Sequence, residues 1–140
     1  MGTPYQIIYE RFLRQITDFD IPKLSDDDLA DYCFGFMKTA LIKMRPLQND
    51  LTNRNDLVMA FNVELLDVEI EILACYMTAE WVGQKLYNSQ LVVMFLGTKD
   101  EKFNSQANMM TALESLRDRK LAEARTLRRD WQYQHSELME

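Results

Sequence analysis

Carboxylates are the side chains of this sequence that most suggest chemistry. The densest group lies around the start of one predicted helix and comprises Asp18, Asp20, Asp26, Asp27 and Asp28. Clustered carboxylates can bind calcium or transfer protons, but these spacings fit no calcium loop. Residues 50–56 also offer oxygen ligands, yet they lack the glycine and the distal glutamate of such a loop. Helix capping and a solvated acidic rim explain the aspartates, so we predict no metal site.

Nucleophilic and zinc-binding side chains are few. The chain has one histidine, His135, and two cysteines, Cys33 and Cys75, which lack CxxC spacing and lie in apolar helical patterns. Such cysteines are more often buried thiols than disulfide partners or zinc ligands. The sequence contains no glycine-rich phosphate loop and no nucleophile elbow. We therefore predict that the protein is not an enzyme and holds no cofactor.

Basic and aromatic residues gather near the C-terminal end, although the net charge of the chain is −6. That charge argues against general nucleic-acid binding. The basic residues could form a solvated face, or face phosphate while the aromatics stack on bases. Contact with a partner protein fits better, because Arg, Trp and Tyr are enriched at interface hot spots. The predicted partner-binding residues are Arg125, Arg128, Arg129, Trp131, Tyr133 and His135.

Apolar residues at three-and-four spacing predict the helices that position these groups. Thr3 caps a first helix, which starts with Pro4 and ends around Asp18 to Pro22, and Ser25 caps a second, which Pro46 stops. Asp67 caps a central third helix. Asn88 or Ser89 starts a brief fourth helix over residues 91–96, closed by Gly97 and packed as a lid. Ser105 opens a last helix about 40 Å long.

Residues 47–66 form the least regular part of the sequence. Apolar side chains alternate there with others, at Leu57, Met59, Phe61, Val63 and Leu65. The alternation suggests an extended arm or strand, which needs a partner edge such as one in a neighbouring copy. A short helix capped by Thr52 is the equal alternative.

The whole pattern predicts an all-α fold. With 140 residues and 47% hydrophobic residues, the chain can form one domain over 1–140 with its own core. We expect a compact bundle of about five helices, with a long C-terminal helix, an irregular arm at 47–66 and an exposed tail at 132–140. No export signal or membrane span is visible in the sequence, so we expect a soluble protein.

Several sequence blocks resemble small connector proteins from the neck of tailed phages and prophages. They are packing and capping blocks, not catalytic motifs. The blocks are Thr3-Pro4-Tyr5, Ile8-Tyr9, Arg11-Phe12-Leu13, Ile16-Thr17-Asp18-Phe19-Asp20, Leu24-Ser25-Asp26-Asp27-Asp28-Leu29, Asp31-Tyr32, Asn49-Asp50-Leu51, Glu69-Ile70-Glu71-Ile72-Leu73-Ala74, Glu80-Trp81 and Ser105-Gln106-Ala107-Asn108.

This resemblance implies a structural virion protein, made in the host bacterial cytoplasm and located between head and tail. Copies would form a ring on the portal protein, meet other neck or tail-completion proteins, and line a passage that DNA crosses without sequence-specific binding. By analogy, residues 125–135 contact the portal or a neighbour, and the arm at 57–65 contacts a neighbouring copy. An acidic wall would let the phosphate backbone slide.

Two other classes of protein remain open. A small acidic helical inhibitor or immunity protein would bind a basic partner through its carboxylates and form a one-to-one complex. A DNA-binding regulator is a third candidate, against which the lack of a basic recognition helix counts. Ring formation with a portal discriminates the connector from both.

Overall fold

A computed structural model describes residues 2–16, 24–96 and 101–138, and side chains within them except at 89–96, 101–106 and 136–138. The described part contains four helices: α1 Tyr5–Leu13, α2 Asp26–Lys43, α3 Asp67–Leu96 and α4 Glu101–Leu138. A two-stranded antiparallel hairpin, β1 Arg54–Asn55 and β2 Ala60–Phe61, lies between α2 and α3. The all-α prediction is confirmed, since the described residues are mostly helical and the sheet among them is this small hairpin alone.

The expectation of about five helices is wrong, because the third and fourth predicted helices are one. α3 runs without a break from Asp67 through Asn88 and Ser89 to Leu96. Asn and Ser are good N-cap residues, but they cost a helix interior only a few tenths of a kcal/mol each, so the helix continues through them where apolar residues follow on both sides. α4 likewise begins at Glu101, so Ser105 lies inside it. Its 38 residues make a helix of about 57 Å, longer than the expected 40 Å.

The predicted N-cap residue is right for α2 and wrong for α1. Ser25 is the N-cap of α2 and accepts a hydrogen bond from the Asp28 amide at 3.1 Å, as predicted. At α1, Pro4 occupies the N-cap position without a side-chain bond, and the Thr3 hydroxyl accepts from the Leu65 amide at 2.9 Å instead. Thr3 therefore joins two distant segments. α1 ends at Leu13, and the predicted stop signals at 18–22 lie outside the described residues.

α3 is the central helix of the fold. It contacts α1, α2 and α4, and it contributes residues to the core along most of its described length. Of the described residues of α4, Ala124 alone is fully buried, with several apolar neighbours partly covered. α4 therefore packs along one face and leaves the opposite face open. None of the described helices is both long and apolar enough to cross a bilayer.

Residues Thr3 to Tyr5 lie beside the hairpin in the manner of a third strand. Pro4 forms an isolated bridge with Ala60, the Thr3 amide donates to Val63 O at 3.1 Å, and the Phe61 amide donates to Thr3 O at 2.8 Å. Gly2 lies so close to this strand that a Cβ there would be 1.5 Å from Phe61 O. Only glycine fits at this position.

Candidate interaction surfaces

The predicted partner-binding residues of α4 divide between two faces of the helix. Arg125, Arg129 and Tyr133 follow one another at four-residue spacing and are exposed, with Tyr133 at 66%. The Arg125 Nε donates to Leu121 O at 3.2 Å within the helix, and Arg129 Nε lies 3.6 Å from Asp130 Oδ1. Exposed pairs of this kind contribute little to stability. We call these three residues the outer stripe, and both guanidinium groups in it remain accessible to a partner.

Arg128 lies on the inner face and has a structural role. Its Nη1 donates to Arg45 O at 2.7 Å and its Nη2 donates to Pro46 O at 3.0 Å. Both carbonyls lie just after the end of α2. The fork geometry of guanidinium suits two adjacent acceptors. Arg128 therefore fastens α4 to the segment that leads from α2 into the hairpin.

Trp131 and His135 form a stacked pair on the same inner face. Their ring centroids are 3.9 Å apart with an interplanar angle of 23°. His135 Nδ1 lies 2.8 Å from Trp131 O, and because a carbonyl only accepts, Nδ1 carries the proton. Both residues are half-buried. The expected tail at 132–140 continues α4 as helix as far as Leu138.

The five predicted contact residues of the arm also separate. Phe61 and Leu65 lie in the core of their own chain, Met59 and Val63 are half-buried, and Leu57 is 94% exposed. The side chains of Phe61 and Leu65 thus pack inside their own chain and are not on its surface. Strand β2 pairs with β1 and also bonds to residues Thr3 to Tyr5 of the same chain. The exposed part is the hairpin tip, which we define as Leu57 and Val58.

The hairpin tip is held in place by bonds on both sides of it. Tyr5 Oη donates to Asp56 Oδ1 at 2.5 Å, and the Leu57 amide donates to Asn55 Oδ1 at 2.9 Å. Burial and the adjacent carboxylate raise the pKa of Tyr5, while its hydroxyl lowers the pKa of Asp56. Met59 has φ 57°, a left-handed conformation that costs energy for a side chain other than glycine. The tip thus presents two aliphatic side chains from a fixed turn.

The carboxylate of Glu69 is buried, and the sequence did not single this residue out as a candidate site residue. Its Oε1 accepts from the Leu66 amide at 2.8 Å and from Asn49 Nδ2 at 2.7 Å, and its Oε2 accepts from the Asn49 amide at 3.0 Å. Leu66, not Asp67, occupies the cap position, because its carbonyl receives the Ile70 amide. A glutamate three residues after a helix cap is the signal that could have found it. Glu69 joins the start of α3 to the loop after α2.

A second acidic cluster lies between α1, α3 and α4. The ligand-type atoms of Glu71, Cys75 and Glu123 are all within 4.8 Å of one another. Arg11 Nη1 lies 2.7 Å from Glu71, and Lys120 Nζ lies 3.3 Å from Glu123. Burial, then the two carboxylates, raise the pKa of the Cys75 thiol to about 12. The thiol is therefore protonated at neutral pH, and each carboxylate already has a cationic partner. The cluster reads as an interhelical ion-pair network.

A groove of about 530 Å³ separates α2 from α3 on the surface of the bundle. Its lining residues are Tyr32, Gly35, Phe36, Thr39, Glu80, Gly83, Gln84 and Tyr87. An added Cβ at Gly35 or Gly83 would meet nothing within 4 Å, so both glycines face open space. Tyr87 is exposed beside the groove, and Glu80 is paired with Lys43. No sequence pattern predicted this groove, although a glycine in the interior of each helix marks it.

Comparisons with known proteins give this chain no relative. No family model matches it, and neither a curated protein nor a solved structure matches it. The features from which function can be argued are the outer stripe, the hairpin tip and the α2–α3 groove.

Proposed function

We propose that this chain is a structural neck protein of a tailed phage, which forms a ring between the portal and the tail and surrounds the passage of DNA. The observation that carries the proposal is the separation of opposite charges on two elements of one chain. Asp26, Asp27, Asp28 and Asp31 are exposed on the first turns of α2, whereas the outer stripe exposes two arginines on α4. A subunit with two different complementary patches associates head-to-tail and can close into a ring.

The net charge supports a position around DNA. At −6 the chain carries an excess of carboxylates, and a surface of this sign repels phosphate instead of binding it. DNA would pass such a wall without being held. The sequence blocks that resemble phage connectors agree with this role.

The outer stripe is the assembly contact of the proposed ring. Its partner is the portal or a neighbouring copy of the chain. Tyr and Arg are both enriched at interface hot spots, and Tyr loses little conformational freedom when a partner covers it. The hairpin tip gives a second contact, because Leu57 and Val58 are exposed aliphatic side chains on a fixed turn.

Co-expression with the portal protein of the same genome tests this proposal. We expect the two proteins to purify together and to show a ring of this chain on the portal in electron micrographs. Arg129→Glu should reduce the amount of chain recovered with the portal, because it reverses a charge in the outer stripe. Arg119→Glu is the matched control, since Arg119 is also exposed on α4 but lies outside the stripe.

Two results would overturn the proposal. One is separate elution of the two folded proteins with no ring in the micrographs. The other is a one-to-one complex of this chain with a basic partner protein, which would support the hypothesis that the protein is an inhibitor.

A further inference from the structure

We infer that the outer stripe of one copy docks in the α2–α3 groove of the next copy. This inference rests on the proposed ring and names the partner surface of the same stripe. The occupant of the groove would be helix α4 of a neighbour, laid along it with Arg125, Arg129 and Tyr133 facing inward. Laying one helix face into a groove is an established mode of protein recognition.

The glycines of the groove are the first observation in favour. Gly35 and Gly83 lie in helix interiors, where glycine is disfavoured relative to alanine. The packing of the chain does not require them, because a Cβ at either position would meet nothing within 4 Å. Facing glycines let another helix backbone approach closely. The open space between them therefore suits a helix that the single chain does not supply.

Charge is the second, independent observation. Asp28 and Asp31 are exposed on α2, one helical turn before Tyr32 and Gly35, which line the groove. None of the ion pairs among the described residues includes either aspartate. The outer stripe offers two arginines of the opposite sign, so the two patches of one chain complement each other between copies.

The chemistry and the dimensions of the two surfaces also agree. Tyr32, Phe36 and Tyr87 line the groove, and arginine side chains pack well on aromatic faces. The stripe from Arg125 to Tyr133 extends about 12 Å along α4, and the α2 side of the groove from Asp28 to Thr39 extends about 16 Å. A stripe of this length fits within the groove.

Cross-linking between copies tests the inference directly. Gly35→Cys and Arg129→Cys place one new thiol on each surface, and native Cys33 and Cys75 are buried and stay unreactive. We expect a mixture of the two single variants, assembled with the portal and oxidised, to give a disulfide-linked dimer that contains one copy of each. A chain with both substitutions should give a ladder of covalent multimers. Ser115→Cys paired with Arg129→Cys is the control and should give neither product.

A substitution that fills the groove tests the same contact without depending on disulfide geometry. Gly35→Leu adds a side chain into open space, so we expect helical circular dichroism to be unchanged while ring formation is lost. Ser115→Leu, which places the same side chain on an exposed site of α4, should leave the ring intact. Asp31→Arg and Arg129→Asp should each weaken association, and together they should restore it.

The outcomes separate this inference from the proposed function. Rings on the portal without mixed cross-links, or rings that survive Gly35→Leu, would overturn the groove contact and leave the neck role standing. Mixed cross-links in the chain alone, without any assembly on the portal, would support the groove contact and overturn the neck role.

Discussion

At the scale of residues, Arg128 and Arg129 are adjacent arginines of α4 that have different roles because they lie on different faces of the helix. Arg128 donates to two backbone carbonyls after α2, whereas Arg129 extends into solvent beside Asp130. Sequence reasoning placed both in one partner-binding set. The helical period could have separated them, because residues 125, 129 and 133 share one face and residues 124, 128, 131 and 135 share another.

The two arginines should therefore differ in their contribution to stability. Arg128→Ala removes two hydrogen bonds from a charged donor at a partly exposed site, and we expect it to lower the free energy of unfolding by about 1–2 kcal/mol. Arg129→Ala should change it by less than about 0.5 kcal/mol. Urea denaturation measures both. Equal losses for the two variants would contradict the structural role of Arg128.

The bond between Tyr5 and Asp56 predicts a dependence of stability on pH. The Tyr5 hydroxyl lowers the pKa of Asp56 below the ordinary 3.8, so ionised Asp56 favours the folded state. This contribution is fully present above pH 3.8 and is lost as pH falls through the lower pKa of the folded state. Tyr5→Phe should therefore lower the melting temperature at neutral pH, and the gap from wild type should narrow below pH 3.8.

Tyr9→Phe is the matched control for that measurement. The hydroxyl of Tyr9 is buried and has no hydrogen-bond partner among the residues that the structure describes, so its removal breaks none of the described bonds. The difference between Tyr9→Phe and wild type should stay constant across the same acid range. A gap for Tyr5→Phe that does not change with pH would contradict the role given to Asp56.

At the scale of elements, the sequence predicted the helices better than their ends. Ser25 marks the start of α2 because its side chain accepts from the Asp28 amide, its own backbone is extended and an acidic turn follows it. Asn88 and Ser89 carry similar residue types but lie within a continuous apolar pattern, so the helix passes through them. A residue type that favours the N-cap therefore marks the start of a helix only where the residues before it do not themselves continue a helical pattern.

The hairpin illustrates what the sequence could not provide. The alternation over residues 57–65 suggested a strand with a partner edge, with a short helix as the equal alternative; of these residues Ala60–Phe61 form strand β2, whereas residues 57–59 lie in a turn. β2 pairs with β1 and has a second partner segment in the same chain. This second segment is Thr3 to Tyr5, more than fifty residues away in sequence. Pairing between such distant segments depends on how α1 and α3 pack, which no local pattern encodes.

The two groove glycines give a prediction at the scale of helices α2 and α3. Gly35→Ala and Gly83→Ala should each raise the free energy of unfolding by about 0.5–1 kcal/mol, because alanine favours helix and its Cβ meets no atom. Thermal or urea unfolding measures the gain. Gly2→Ala should destabilise the fold, since its Cβ would clash with Phe61 O. A loss of stability for Gly35→Ala would mean that the glycine serves the fold of the single chain.

At the scale of the whole molecule, the chain presents surfaces that its own fold leaves unused. α4 packs along one face, the hairpin tip projects two aliphatic side chains, and a groove with two glycines stays open. A basic stripe and an exposed acidic turn lie on different elements. These features together favour a protein that works by associating with copies of itself and with a larger assembly.

A cryo-electron microscopy reconstruction of this chain assembled with the portal protein of its genome would show whether the chain forms the neck ring. We expect a closed ring of copies on the portal, with the outer stripe of each copy against the α2–α3 groove of the next and acidic residues facing the channel. A sample in which this chain remains monomeric beside an intact portal, or binds a basic protein one-to-one, would contradict this expectation.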